Sequence, residues 1–145
     1  MQEQISKKPL VDILSQMSGK QVVMNGDDYV FLQNGITVSQ AEIDEALVTQ
    51  SALEQKSIQE LYLKATDEHL NAKAKEYGYD DIKTAVTYAD EPSVVKFQSE
   101  GQAFRTWRSL VYAYLYEQME LVQNETRTAP ASIEELIAEL PTIVI

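Results

Sequence analysis

The sequence contains no cysteine and only one histidine, His69, in 145 residues. Without cysteine the chain cannot form disulfides, thiolate nucleophiles, cysteine-bound zinc sites or iron–sulfur clusters. A serine triad or a di-iron helix pair lacks its histidine motif, and no carboxylate or imidazole lies three or four positions from His69. We therefore expect no metal site, no cofactor and no catalytic residue, and we interpret His69 as a surface or packing residue.

Glycine and long apolar runs are also scarce. The five glycines form no phosphate-binding loop of the GxGxxG or GxxxxGK type. No stretch approaches the roughly 20 apolar residues that a membrane span needs, and Met1 is followed by Gln2, Glu3 and Gln4 instead of the apolar core of a secretion signal. These features predict a soluble, unexported protein without a membrane partner.

Acidic residues outnumber basic residues by 23 to 12, which gives a net charge of −11. Such a field repels phosphate backbones, so we expect no nucleic-acid partner. Adjacent acids such as Asp27-Asp28 and Glu134-Glu135 fall in turns or first helical turns, where capping and the helix dipole explain them. The charge leaves one alternative function open, an acidic DNA mimic or inhibitor protein.

The first elements are a short helix and a hairpin. Apolar residues recur at helical spacing from Leu10 to Met17, between Pro9 and Gly19. The runs 20–24 and 29–33 are rich in β-branched and aromatic residues and are separated by Asn25-Gly26-Asp27-Asp28, which predicts a β-hairpin. A lone hairpin is marginal in water, so it needs a third strand, a helix or a partner chain.

Capping patterns place the later helices. Ser39-Gln-Ala-Glu42 is a capping box that predicts a helix start, and Ser51-Ala-Leu-Glu54 is a second box. The weak helix formers between them predict a break near Gln50, with the helix then continuing to Gly78. Asp80 is predicted to cap a third helix.

Two further helices complete the predicted fold. The fourth covers about residues 94–123, and the fifth begins at the capping box Ser132-Ile-Glu-Glu135 and ends at Pro141. We therefore predict a mainly α (α+β) fold, an N-terminal helix and β-hairpin followed by a helical bundle of about four helices. The predicted division is an N-terminal module at 1–50, suited to partner binding, and a helical domain at 51–145.

The fourth predicted helix carries the best candidates for protein binding. Only about a third of its circumference is polar, so it is either central or meets a partner. Trp, Tyr and Arg are enriched at interface hot spots, and the helix groups five of them: Arg105, Trp107, Arg108, Tyr112 and Tyr116. The alternative is structural, with Trp107 and Tyr114 in the core and Arg108 paired with an acid of a neighbouring helix.

The last residues are the second candidate. Ile143, Val144 and Ile145 form an apolar, β-branched segment. We expect this segment to dock on the core, to pair with the hairpin as an edge strand, or to meet another chain.

The tract from about 70 to 141 contains an ordered series of short patterns. They are Leu70-Asn-Ala-Lys-Ala, Tyr77-Gly-Tyr-Asp80, Ile82 with Ala85-Val-Thr-Tyr88-Ala, Phe97-Gln-Ser-Glu100-Gly-Gln-Ala-Phe104, Trp107-Arg108, Pro130, and Glu135-Leu-Ile-Ala-Glu-Leu-Pro141. This series resembles small bacteriophage and prophage tail or tail-fibre assembly proteins. The resemblance covers about half of the chain and implies a helical accessory module without catalytic residues.

The resemblance also implies a partner, a phage tail fibre or another tail protein. The chain would then be an assembly chaperone in the host cytoplasm or a resident part of the virion tail. Residues 1–50 match no known pattern, so their role stays open. A homo-oligomer also stays open, because fibres are commonly trimeric although no sustained heptads demand one here. The acidic-mimic alternative, acting on a host enzyme, predicts acids arrayed on one extended face.

Overall fold

The computed structural model describes residues 9–145. The chain divides into two compact units, one comprising the chain up to Glu60 and the other beginning at Leu61, called unit 1 and unit 2. The expectation that no secretion signal follows Met1 lies outside the described residues.

Helix α1 (Leu10–Ser18) opens unit 1 as the predicted amphipathic helix. Pro9 is its N-cap residue, and the Pro9 carbonyl accepts a hydrogen bond from the backbone N–H of Ile13 at 3.3 Å. Gly19 ends the helix in the left-handed conformation, with φ at 67°, which glycine adopts without strain. Ile13 and Leu14 are buried and supply the face that α1 contributes to the core.

Strands β1 (Val22–Asn25) and β2 (Asp28–Phe31) form the predicted antiparallel hairpin. Asn25 pairs with Asp28, so the loop has two residues and not the four that the sequence indicated. Gly26 opens this loop with φ at 64°, the positive φ that tight hairpin turns need.

Residues 36–38, called the edge segment, return along β2 after the second predicted turn. The Phe31 N–H donates to the Ile36 carbonyl at 2.9 Å, and the Val38 N–H donates to the Tyr29 carbonyl at 2.8 Å. This segment and α1 give the hairpin the covering that the sequence argument required. The core of unit 1 consists of Ile13, Leu14, Val22, Val38 and Ala46.

Helix α2 (Gln40–Glu76) is continuous, so the predicted break near Gln50 is wrong. The Thr49 hydroxyl donates to the Glu45 carbonyl at 3.1 Å, which satisfies its side chain inside the helix. Weak helix formers cost only a few tenths of a kcal/mol each, too little to end a helix that is capped at both ends. The boundary between the two units falls between residues 60 and 61, within α2, whereas the predicted boundary was 50/51.

Both ends of α2 use the predicted caps. The Ser39 hydroxyl accepts from the Glu42 N–H at 3.2 Å, and the Glu42 carboxylate accepts from the Ser39 N–H at 3.0 Å. At the other end Gly78 has φ at 90°, and the Tyr79 N–H donates to the Ala74 carbonyl at 3.1 Å. That bond, five residues apart, is the Schellman closure in which glycine is favoured.

Unit 2 contains the rest of α2 and three further helices joined by short connections. These are α3 (Ile82–Thr87), a 3-10 turn (Tyr88–Asp90), α4 (Val95–Gln123) and α5 (Ile133–Glu139). Asp81 caps α3 by accepting from the Thr84 N–H at 2.6 Å, so the prediction that Asp80 does so is wrong by one residue. The Ser132 hydroxyl caps α5 as predicted.

The core of unit 2 lies between the second part of α2, α3, α4 and the chain after α5. Its buried residues are Leu70, Ala74, Ile82, Ala85, Phe104, Trp107, Val111 and Leu140. Within residues 9–145 the chain forms five α-helices and a two-stranded hairpin. The predicted mainly α (α+β) fold is confirmed: a short helix and a β-hairpin are followed by four α-helices, α2 to α5.

Gly101 lets α4 pack directly on the backbone of the 3-10 turn. A Cβ atom at Gly101 would lie 2.5 Å from the Ala89 nitrogen and 2.7 Å from the Tyr88 carbonyl carbon. These are backbone atoms on a packed element, so they cannot move aside as a flexible side chain can. The contact therefore sets how closely α4 approaches the turn.

We expect Gly101→Ala to destabilise unit 2, although alanine normally stabilises a helix interior by about 1 kcal/mol over glycine. Overpacking costs typically about 1–3 kcal/mol, and here the clash is with backbone, so we expect a cost near the upper end of that range and a net loss of about 2 kcal/mol. Urea unfolding followed by circular dichroism measures it. Ser99→Ala, at an exposed position of the same helix, is the control and should change stability little. A gain in stability for Gly101→Ala would contradict the packing.

Candidate functional site

Four of the candidate residues share one side of α4. Arg105, Arg108, Tyr112 and Tyr116 follow one another at spacings of three, four and four residues, which places them on one helical face. Arg105 and Tyr116 are exposed, and Arg108 and Tyr112 are half-buried. We call this surface the Arg/Tyr face.

The two tyrosines of the Arg/Tyr face are stacked. The ring centroids of Tyr112 and Tyr116 lie 6.1 Å apart with an interplanar angle of 28°. Burial raises the pKa of Tyr112, and the carboxylate of Asp67 raises it further, while Arg108 acts in the opposite direction. The face therefore presents a neutral aromatic surface with guanidinium groups beside it.

The two arginines of the face differ in their partners. Arg105 forms an exposed ion pair with Asp90, with 3.0 Å between Nη1 and Oδ2, and such pairs contribute at most about 1 kcal/mol. Within residues 9–145 Arg108 forms no ion pair, so the alternative that pairs it with an acid of a neighbouring helix is not observed. The guanidinium of Arg108 keeps its capacity for a partner's carboxylate or carbonyl.

Trp107 is not on the surface of unit 2. It is only 2% exposed, and its indole N–H donates to the Pro141 carbonyl at 2.6 Å. Its ring also meets Phe104 and His69 edge to face, at centroid distances of 6.1 and 5.7 Å. We therefore correct its assignment as a binding residue, because it lies on the side of α4 that faces the core. Its structural role is to hold the chain after α5.

The apolar segment at the end of the chain is divided between core and solvent. Ile143 packs against the core of unit 2, whereas Val144 is 84% and Ile145 56% exposed. In the described part of the chain, residues 142–145 form no strand and no backbone hydrogen bond. Docking on the core is thus observed for Ile143, and the predicted edge strand is absent.

Glu100 is a buried carboxylate that the sequence analysis missed. It accepts a hydrogen bond from the Tyr79 hydroxyl at 2.6 Å, and the Lys96 ammonium lies 3.9 Å from its other oxygen. Burial and this hydrogen bond raise the pKa of Tyr79 strongly. An acid on the apolar line between Phe97 and Phe104 was the available signal. The hydrogen bond between Tyr79 and Glu100 attaches the chain that follows Gly78 to α4.

The sequence analysis also missed a cavity of about 140 Å³ in unit 1. It lies between α1, β2, the edge segment and the first turns of α2. Its lining residues are Leu14, Met17, Ser18, Phe31, Val38, Glu42 and Glu45. Small-molecule sites usually measure about 300–1,000 Å³, so this cavity has room for a single side chain.

Several acidic residues in the described part of the chain have local hydrogen-bond or ion-pair partners. Glu42 and Asp81 cap helices, and the Glu91 carboxylate accepts from Ser93 in the turn before α4. Glu139 pairs with Arg127, and this hydrogen bond lowers the pKa of the Glu139 carboxyl. These contacts give the four acids Glu42, Asp81, Glu91 and Glu139 a structural role.

Between residues 9 and 145, no three histidine, aspartate or glutamate side chains are grouped so that they could hold a metal ion. No helix in that same range combines the length and the apolar character needed to cross a membrane.

We expect the pKa of His69 to lie below 6.5, because burial disfavours the imidazolium and Lys73 adds a like charge nearby. As the pH falls below 6.5 the unfolded chain takes up the proton first, so stability falls and then levels off once folded His69 is protonated too. NMR titration of the ring gives the pKa. The free energy of unfolding should fall less between about pH 7.5 and about pH 5.5 for His69→Gln than for the parent chain. Equal decreases in the two proteins would contradict this.

Comparison of the chain with known protein families, curated proteins and solved structures finds no match.

Proposed function

We propose that this chain is a bacteriophage tail protein that binds a tail fibre or another tail component. The proposal rests on the resemblance of residues 70–141 to tail and tail-fibre assembly proteins, joined to one observation of the structure. That observation is the Arg/Tyr face, an aromatic and cationic surface on a helix whose opposite side is already packed.

Helix α4 has more apolar surface than its own fold uses. Phe104, Trp107, Val111 and Leu115 fill the core from one side, yet Tyr116 is 57% exposed. Exposed Tyr beside Arg is the composition of interface hot spots, because both residues bury a large area while their polar ends keep hydrogen-bond partners. A protein partner is therefore the best use of this surface.

Docking of the partner would use the regularity of α4. The helix has 29 residues and contains no proline, which would kink it, so it can present a continuous row of side chains. A partner surface can engage that row at spacings of three and four residues, as helix-in-groove recognition does. The stacked Tyr112 and Tyr116 rings supply the aromatic anchor, and Arg108 supplies a directional polar contact.

Residues 143–145 would add a second contact of a different kind. Trp107 holds Pro141 and the core holds Ile143, which fixes where the segment leaves unit 2. The backbone of Val144 and Ile145 has no partner among the described residues. An extended segment with unpaired N–H and C=O groups can add to an exposed sheet edge, and phage fibres are rich in β-structure.

The resemblance and the proposed contacts use different residues of unit 2 except for Arg108, which belongs to both. Leu70, Ile82, Phe104, Trp107 and Leu140 belong to the resembling tract and lie in the core. Tyr112 and Tyr116 lie outside the patterns that carry the resemblance. We therefore propose that the tract specifies the helical scaffold, while the exposed residues of α4 select the partner.

Co-expression with the fibre protein encoded beside this gene, followed by size-exclusion chromatography, tests the binding. We expect co-elution, and we expect Tyr116→Ala and Arg108→Ala each to weaken binding by about 30-fold, which corresponds to the loss of about 2 kcal/mol at a hot spot. Val95→Ala is the matched control, because Val95 is exposed at the other end of the same helix. Unfolding curves of the variants should match the parent. Failure to co-elute, or equal effects of all three changes, would overturn the proposal.

Mass spectrometry of purified virions separates the two versions of the proposal. A resident tail component should be present at a fixed copy number relative to the fibre, because it remains bound after assembly. A chaperone should bind the fibre during co-expression and be absent from virions. A chain that binds no tail protein but does bind a DNA-processing host enzyme would favour the acidic-mimic alternative instead.

A further inference from the structure

The cavity of unit 1 combines an apolar floor with an acidic rim. Leu14 and Val38 are buried at 3% and 4% exposure and form the floor, while Phe31 is half-buried at one wall. Glu42 and Glu45 lie one turn apart on α2 and are both exposed. The cavity thus offers hydrocarbon contact inside and negative charge at its mouth.

The volume restricts the occupant. About 140 Å³ is close to the engineered cavity of about 150 Å³ that holds one benzene molecule. It therefore admits one side chain or a fragment of that size, and excludes a cofactor or a nucleotide. Met17 at the opening is unbranched and can adjust its shape to an incoming group.

A cation already lies against the wall of this cavity. The ammonium of Lys20 sits 5.4 Å from the centroid of the Phe31 ring. Hydrogen bonds from the Ser39 N–H and hydroxyl lower the pKa of Glu42, and the Lys20 ammonium makes a smaller contribution in the same direction. The chain's own lysine shows that this ring and this rim favour a positive charge.

Glu45 is the part of the rim that is left for a partner. Among the described residues its carboxylate accepts no hydrogen bond and forms no ion pair, and its carbonyl is bonded inside the helix by Thr49. Long cationic side chains pack their aliphatic stem on apolar surface and keep the charged end at a polar rim. That division matches the cavity.

We infer that this cavity is a binding site for one lysine or arginine side chain of a partner protein. The aliphatic stem contacts Leu14, Met17 and Val38, and the charged end meets the Glu45 carboxylate at the rim. The net charge of −11 favours the approach of a cationic segment. The site lies wholly in unit 1 and does not depend on the proposed role of the Arg/Tyr face.

Two small probes of equal shape test the inference on the full chain. N-butylguanidinium reproduces an arginine end with its stem, and N-butylurea has the same outline without the charge. We expect N-butylguanidinium, at constant ionic strength, to give saturable NMR shift changes at Leu14, Met17, Phe31 and Val38. N-butylurea should bind more weakly, by up to about fivefold, since an exposed ion pair contributes up to about 1 kcal/mol.

Two variants separate a local contact from general attraction by the acidic chain. Glu45→Gln should weaken N-butylguanidinium binding by up to about fivefold. Asp44→Asn removes the same charge from the neighbouring exposed residue, which does not line the cavity, and should change binding little. Absence of saturable shifts at the cavity, equal binding of the two probes, or equal weakening by the two variants would each overturn the inference.

Discussion

The close approach of Gly101 to the backbone of the 3-10 turn is the contact on which unit 2 depends. No side chain separates α4 from Tyr88 and Ala89 at this point, so the rotation of α4 about its axis is fixed there. Glu100, one residue earlier, then meets the Tyr79 hydroxyl. Phe104, three residues later, reaches the core. A single glycine thus couples the chain after α2 to the helix that carries the candidate binding surface.

The rotation of α4 decides which of its aromatic residues are accessible. Once Phe104, Val111 and Leu115 face the core, Trp107 must follow them, because it lies on the same side of the helix. The Arg/Tyr face, with Tyr116 as its exposed aromatic residue, is then left on the outside of the helix. The fold and the surface are therefore two consequences of one packing geometry, and a change at Gly101 would be expected to disturb both.

Local hydrogen bonding explains what could be predicted from the sequence. The caps at Ser39 and Ser132 and the glycine closure at Gly78 involve atoms within a few residues, so residue types alone indicated them. The sequence left Trp107 open between the core and a binding surface, because an apolar stripe covering most of a helix does not show which part faces the core. The cavity could not be predicted either, because its lining residues lie between positions 14 and 45 and come together only when the chain packs.

The two proposed binding surfaces carry groups of opposite charge. The chain has three arginines; Arg127 pairs with Glu139 and Arg105 with Asp90, whereas Arg108 has no ion pair within residues 9–145. A guanidinium beside stacked tyrosines favours an acidic or carbonyl-rich partner surface, since like charges there would cost binding energy. The cavity in unit 1, with Glu45 at its rim, instead favours a cationic side chain. A partner that carries both an acidic or carbonyl-rich surface and a cationic side chain would bind through these local contacts. Such binding would depend less on the net charge of the chain, whose attraction is weakened by salt screening.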